Sequence, residues 1–207
     1  MTENNETKRA TRYEVLDTEM TPNPNAFKYV MNRPVISAGA KSIASAEEAG
    51  KNPFARAVFA LGNIESIYLS ENFVTVSFIP NYNLEVMVEA VEDVIEDHLV
   101  FYENAETEQE ETAKESIFDT LDTIDFPNLP DEAKAEVIDA LLDETVRPAL
   151  ANDGGGVTVL DYADNTLRIR YQGACGSCPS SQTGTLRAIE NILSKSLKQE
   201  IRVQSSI

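Results

Sequence analysis

Cys175 and Cys178, in the run Gly173-Ala174-Cys175-Gly176-Ser177-Cys178-Pro179-Ser180-Ser181, are the only cysteines of this 207-residue chain. A CxxC pair supports three chemistries: a dithiol–disulfide couple, part of a metal site, or a small disulfide clip. Tetrahedral zinc and iron–sulfur clusters usually take four protein ligands each, so one chain supplies half of such a set. If the pair binds metal, a second chain or an outside ligand completes the site. The disulfide clip closes only a very short loop and gains little from chain entropy.

The surroundings of the pair are small and polar. Tyr171 ends a strand, and Pro179 suits a first helical position, where its missing N–H would be unpaired anyway. Amides at such a helix start, with the positive end of the dipole, stabilise thiolates and an anionic cluster. Gly173 and Gly176 let backbone amides approach sulfur without a Cβ in the way. Ser177, Ser180 and Ser181 offer hydrogen bonds to sulfur, which tune a cluster's potential.

Two rivals stay open at this point. A dithiol oxidoreductase also places CxxC between strand and helix, but a thioredoxin-like fold needs further strands after that helix and a proline loop facing the disulfide. No proline follows Pro179 before Ile207, and the chain has no tryptophan. A zinc ion held by the four cysteines of two chains is the second rival; it would need no labile, exposed loop. His98, the only histidine, lies in the other half on an expected helix and reads as a surface residue. Asp153-Gly154-Gly155-Gly156 lacks the Gly-Lys-Ser/Thr of a phosphate loop and reads as a tight turn ending a helix. One histidine remote from every serine cluster builds no Ser–His–Asp set, so no catalytic residue and no enzyme are expected.

The elements that must position the thiols follow from periodicity. In the second half Ile117, Leu121 and Ile124 give a short helical piece. Asp131 is the expected N-cap of a helix carrying Val137, Ile138, Leu141, Leu142 and Val146 on one face, which Pro148 kinks or ends. Val157 to Leu160 and Thr166 to Tyr171 form a hairpin around Ala163-Asp164-Asn165, with Leu167, Ile169 and Tyr171 alternating against Arg168 and Arg170. The cysteine loop follows, then a helix marked by Leu186, Ile189, Leu193 and Leu197, then a short strand at Ile201 and Val203. In the first half, Tyr13 to Met20 and Ala26 to Met31 are extended around Thr21-Pro22-Asn23-Pro24-Asn25. Pro53 opens a helix that Gly62-Asn63 ends, Ile64 to Leu69 and Phe73 to Ile79 form a hairpin, and Leu84, Val88, Val91, Ile95 and Leu99 mark another helix.

Glu103 to Glu115 has no large apolar residue and clusters like charges, so it reads as a solvated linker. The expected class is α+β, layered α/β, in two small domains, each a small sheet packed by helices. Their bounds are a tail over 1–11, a first domain over 12–102, an acidic linker over 103–116 and a cysteine-bearing domain over 117–207. With 35 acidic against 17 basic residues the formal charge is −18, which disfavours nucleic acid and anionic membrane surfaces as partners. No apolar run spans a bilayer, and Met1 to Ala10 lacks the apolar stretch of a signal peptide. One cysteine pair is not a secreted disulfide framework, so the expected home is the cytosol.

On these residues the second half resembles the C-terminal domain of NifU, the Nfu-type domain. The matching features are Arg147-Pro148, Asn152-Asp153-Gly154-Gly155, the run Gly173 to Ser181 and the helix after it, from roughly Pro130 onward. Gly156 stands where an acidic residue is common in that family. The first half resembles the N-terminal domain that accompanies it in many Nfu proteins. That likeness rests on Thr21 to Val30, on Asn52-Pro53-Phe54-Ala55-Arg56 and on Phe73-Val74-Thr75-Val76. The resemblance implies an iron–sulfur cluster scaffold or carrier. In it, Cys175 and Cys178 of each of two chains bind one [4Fe–4S], or [2Fe–2S], cluster. It further implies a homodimer when cluster-bound, an upstream cluster scaffold as donor and apo iron–sulfur proteins as recipients.

Overall fold

A computed structural model of the chain describes residues 12–80, 83–103, 116–176 and 184–206. The contacts divide it into two units, Met1–Thr107 and Glu108–Ile207. The expected tail over 1–11 and nearly all of the expected linker lie outside the described residues.

In the first unit, β1 (Val15–Met20) and β2 (Ala26–Met31) flank the two-proline turn. Asn23 is buried there, its Oδ1 accepting from the Asn25 amide at 3.0 Å, a side-chain-mimicked turn that the prolines leave room for. β3 (Ala40–Ile43) precedes α1 (Pro53–Ala60), whose N-terminus is capped by Asn52 Oδ1 accepting from Ala55 N. β4 (Ile64–Ser70) and β5 (Phe73–Phe78) form the expected hairpin, and α2 (Leu84–His98) follows. The sheet order is β1-β2-β5-β4-β3, antiparallel throughout. Phe54, Val58, Val91 and Ile95 of the helices share one core with Tyr29, Ile67, Leu69, Val74, Val76 and Phe78 of the strands. The sequence gives no sign of β3, because Ala-Lys-Ser-Ile has a single β-branched apolar residue and no alternation to read.

The second unit begins with α3 (Ile117–Thr120) and two single 3₁₀ turns, Leu121–Thr123 and Phe126–Asn128. α4 (Asp131–Thr145) and α5 (Arg147–Asn152) are separated at Val146, with Pro148 in the first turn of α5. The expected break at Pro148 is thus a new helix start one residue earlier, where proline is tolerated. Asp131 is not the N-cap: Pro130 holds that position without a side-chain hydrogen bond, and Asp131 lies in the first turn, facing the positive end of the dipole. β6 (Gly155–Ala163) and β7 (Thr166–Gly173) pair antiparallel around Asp164 and Asn165, both at positive φ (50° and 57°), the signature of a type I′ turn. α6 (Leu186–Leu197) then crosses over to β8 (Arg202–Ser205), which pairs parallel with β7. Ile138, Leu141 and Leu142 of α4 and Ile189, Leu193 and Leu197 of α6 share a core with Leu167, Ile169 and Tyr171 of β7. The α+β class follows from these two sheets and their helices. Among the described residues no helix is long and apolar enough to cross a membrane.

Candidate metal centre

The cysteine turn is built on the far end of the β6–β7 hairpin. Pairing there runs Val157↔Tyr171, Gly156↔Gln172 and Gly155↔Gly173. Of the three glycines that read as a turn, only Gly154 (φ 74°) makes one; Gly155 and Gly156 belong to β6. The chain leaves β7 at Gly173, whose φ of 59° is strained for residues with a Cβ. The Gly176 amide donates to the Gly173 carbonyl at 3.0 Å and closes the turn, while the Ala174 amide donates to the Gly154 carbonyl at 3.1 Å. Cys175 is held between these two bonds.

Its sulfur packs over Gly155. A Cβ built on Gly155 would lie well under 3.0 Å from Cys175 Sγ, and 3.0 Å from both the Cys175 amide nitrogen and the Gln172 carbonyl oxygen. Gly155 is therefore the glycine that makes room for the thiol. Among the described residues a Cβ on Gly176 would meet carbonyl oxygens at 3.4 and 3.7 Å, and the other sulfur it was expected to serve, that of Cys178, lies outside them. The sequence carried the signal in the Gly154-Gly155-Gly156 run, but the turn reading absorbed all three glycines at once.

Burial differs from expectation as well. Cys175 is 5% exposed and belongs to the core cluster of the second unit, and the next residue, Gly176, is exposed. The first thiol is thus buried, where the sequence reading expected an exposed site. The reason is the closing turn, which folds Cys175 back onto β6. Tyr171 lies in the same cluster, 9% exposed, with its Oη covered. Burial, then the charge of Cys175, push the Tyr171 phenol up to about 12, and a hydrogen bond with the Thr185 side chain opposes the rise.

Arg147 fixes the helices to this hairpin. Its Nε donates to the Val157 carbonyl at 3.0 Å, and its Nη atoms reach Asp139 Oδ1 and Asp143 Oδ1, each at 2.6 Å. One guanidinium thereby joins α4, the start of α5 and the strand that carries Gly155. Its fixed fork of five donors suits that task. From the sequence, Arg147 has only its place beside Pro148 in a family motif.

Cys178 lies outside the described residues, as do Ser177, Ser180, Ser181 and the helix start expected at Pro179. His98 is exposed at the end of α2, in the other unit from Cys175. Among the described residues no three His, Cys, Asp or Glu side chains gather to hold a metal ion. The surroundings of Cys175 nevertheless fit a soft-metal ligand. They combine a thiol, a cradle that a Cβ would fill and an apolar wall.

Comparison with known proteins follows the same division of the chain. Residues 16–101 match the family model described as scaffold protein Nfu/NifU N terminal, and residues 138–204 match the NifU-like domain. NifU-like protein 5, mitochondrial, of Arabidopsis thaliana is 27% identical over 180 residues, covering 86% of this chain and 62% of that protein. The human NFU1 iron-sulfur cluster scaffold homolog, mitochondrial, is 27% identical over 189 residues, covering 88% of this chain and 68% of its own length. The chain thus spans about three fifths to two thirds of the length of these relatives. Among solved structures, the NMR structure of a NifU-like protein from Saccharomyces cerevisiae covers 42% of this chain and 76% of its own, at 17% identity and a TM-score of 0.37.

These relatives correct the expected cytosolic home, since they are named mitochondrial. A single cysteine pair separates disulfide-forming compartments from reducing ones and does not tell one reducing compartment from another. Both halves are thus matched in turn: the chain carries an Nfu/NifU N-terminal domain followed by a NifU-like domain.

Proposed function

We propose that this chain is an iron–sulfur cluster carrier in which Cys175 and Cys178 of two chains together bind one cluster as cargo. The cargo is a [4Fe–4S] cluster, or [2Fe–2S], received from an upstream scaffold and passed to apo-proteins. The observation that carries the reading is the placement of the chain's first thiol. Cys175 leaves β7 in a turn that two backbone hydrogen bonds fix, over a glycine that leaves space for its sulfur. With two thiols per chain, a four-thiolate set requires a second copy. A site completed between two chains can be dismantled by an acceptor's thiols, which suits transfer and requires no catalytic group. The relatives named as cluster scaffolds support the same role.

The first unit contains neither cysteine, and we assign it recognition of the donor or recipient protein.

Anaerobic reconstitution with ferrous iron and sulfide, followed by absorption and Mössbauer spectroscopy, tests the function. The expected product is a cluster-bearing dimer that reactivates an apo iron–sulfur protein. Zinc as the metal of the untreated dimer, or disulfide reduction by the metal-free monomer, would replace the reading with a rival.

A further inference from the structure

The three-stranded sheet of the second unit packs its helices on one side. Leu167, Ile169 and Tyr171 of β7 and Val203 of β8 face the core shared with α4 and α6. The residues between them are exposed: Arg168 and Arg170 on β7, Arg202 and Gln204 on β8, with Thr158 on β6. Strand alternation puts these on the opposite, open face. The register gathers them, pairing Thr158 with Arg170, Gln204 with Arg168 and Arg202 with Thr166. A β-bulge sets Leu160 and Asp161 together opposite Arg168, and Leu160 is an exposed large hydrophobic residue.

Charge singles this face out. The chain carries 35 acidic against 17 basic residues, and α4 alone holds Asp131, Glu132, Glu136, Asp139, Asp143 and Glu144. The basic groups near α4 are taken by it: Lys134 pairs with Asp131, and Arg147 with Asp139 and Asp143. On the open face Arg168 pairs with Asp161, whereas Arg170 and Arg202 have no ion pair among the described residues. A surface built for solubility alone interleaves both signs. Here three guanidiniums collect around one leucine in a strongly acidic chain.

We infer that this open face docks an acidic segment of a partner protein, its carboxylates on Arg170 and Arg202 and an apolar side chain on Leu160. Planar guanidiniums take carboxylates in paired hydrogen bonds. Arginine around an apolar centre is also the composition that protein interfaces favour. A nucleic acid or an anionic membrane fits less well, because its dense charge would meet the net −18 of the chain. A short acidic segment is governed by the local field, since charges beyond about 10 Å are largely screened. The surface is separate from the role assigned to Cys175 and does not depend on it.

The test titrates the full chain with a fluorescein-labelled, glutamate-rich peptide that has a central pair of leucines. Binding should weaken as salt rises, and the backbone amides of β7 and β8 should shift in NMR spectra while those of the first unit stay in place. Replacing both arginines, Arg170→Gln with Arg202→Gln, should weaken binding about tenfold. Leu160→Ser should weaken it less, about threefold. Arg187→Gln with Lys195→Gln removes the same charge from exposed positions of α6, on the covered side, and should keep the wild-type affinity. No binding, or an equal loss in the α6 variant, overturns the inference, the latter because net charge alone would then explain it. So does a single-stranded DNA oligonucleotide that binds more tightly than the peptide and loses affinity with Arg170 and Arg202. Should the double variant fold poorly, the wild-type amide shifts decide, and their absence from β7 and β8 overturns the inference.

Discussion

The two units treat their buried tyrosines differently. In the first, Tyr13 Oη donates to the Pro34 carbonyl at 2.8 Å, Tyr29 Oη to the Val88 carbonyl at 3.4 Å, and Tyr102 Oη accepts from Asn52 Nδ2 at 2.5 Å. Each of these hydroxyls serves the fold that contains it. In the second unit Tyr162 Oη reaches Asn165 at 3.1 Å, and Tyr171 shares its core cluster with Cys175. The glycines separate the units more plainly: Gly62 of the first unit, at φ 78°, has no atom within 4 Å of a built Cβ, whereas Gly155 has the thiol there. A glycine turns the chain in one unit and makes room for a sulfur in the other.

The comparison breaks most completely at the thiol. Cys175→Ala should abolish cluster uptake, read as iron and sulfide per chain, while hydrogen exchange in the first unit stays unchanged. Uptake at the wild-type level would remove the basis for assigning chemistry to the second unit alone. Gly155→Ala comes next. Its new Cβ has to displace Cys175 or the β6 backbone, costing about 3 kcal/mol, the upper part of the usual range for overpacking. Cluster content should fall with it, whereas a Gly62→Ala protein, strained only in its own φ, should keep the wild-type content. Equal cluster content in the two glycine variants would refute the cradle.

Arg147→Ala sharpens the contrast further. It removes the guanidinium that joins α4, α5 and β6, at a cost of about 2 kcal/mol for a partly exposed, charge-assisted set. Thermal unfolding should show the loss in the second unit, with cluster uptake preserved below the lowered transition. The smallest effect is expected from Asn52→Ala. It loses the cap of α1 and the bond to Tyr102, for about 1 kcal/mol. Hydrogen exchange should locate that change in the first unit, and iron and sulfide counts should not move.

Much of this arrangement is legible in the residues, for identifiable reasons. Helix faces such as Val137-Ile138-Leu141-Leu142 and the alternation of Leu167, Ile169 and Tyr171 follow from periodicities that the core enforces. The importance of Cys175 is legible because no other residue types offer its chemistry. Four features were hidden for physical reasons. β3 forms because β4 presents an edge to pair with, which four residues of mixed type do not announce. The role of Gly155 depends on a residue 20 positions away in sequence, so a local turn reading is the natural one. The place of Asp131 turns on Pro130 taking the cap position, a competition between neighbours that cap preferences alone do not resolve. The burial of Cys175 is likewise a result of the hairpin register, which no local motif encodes.

The most direct measurement of the central claim is the mass of the reconstituted protein under native conditions, with iron and sulfide counted on the same sample. A shared [4Fe–4S] site predicts a dimer bearing one cluster, about two irons and two sulfides for each chain. A monomer carrying a complete cluster, or a dimer that retains its iron when Cys175 and Cys178 are both replaced by alanine, would contradict it.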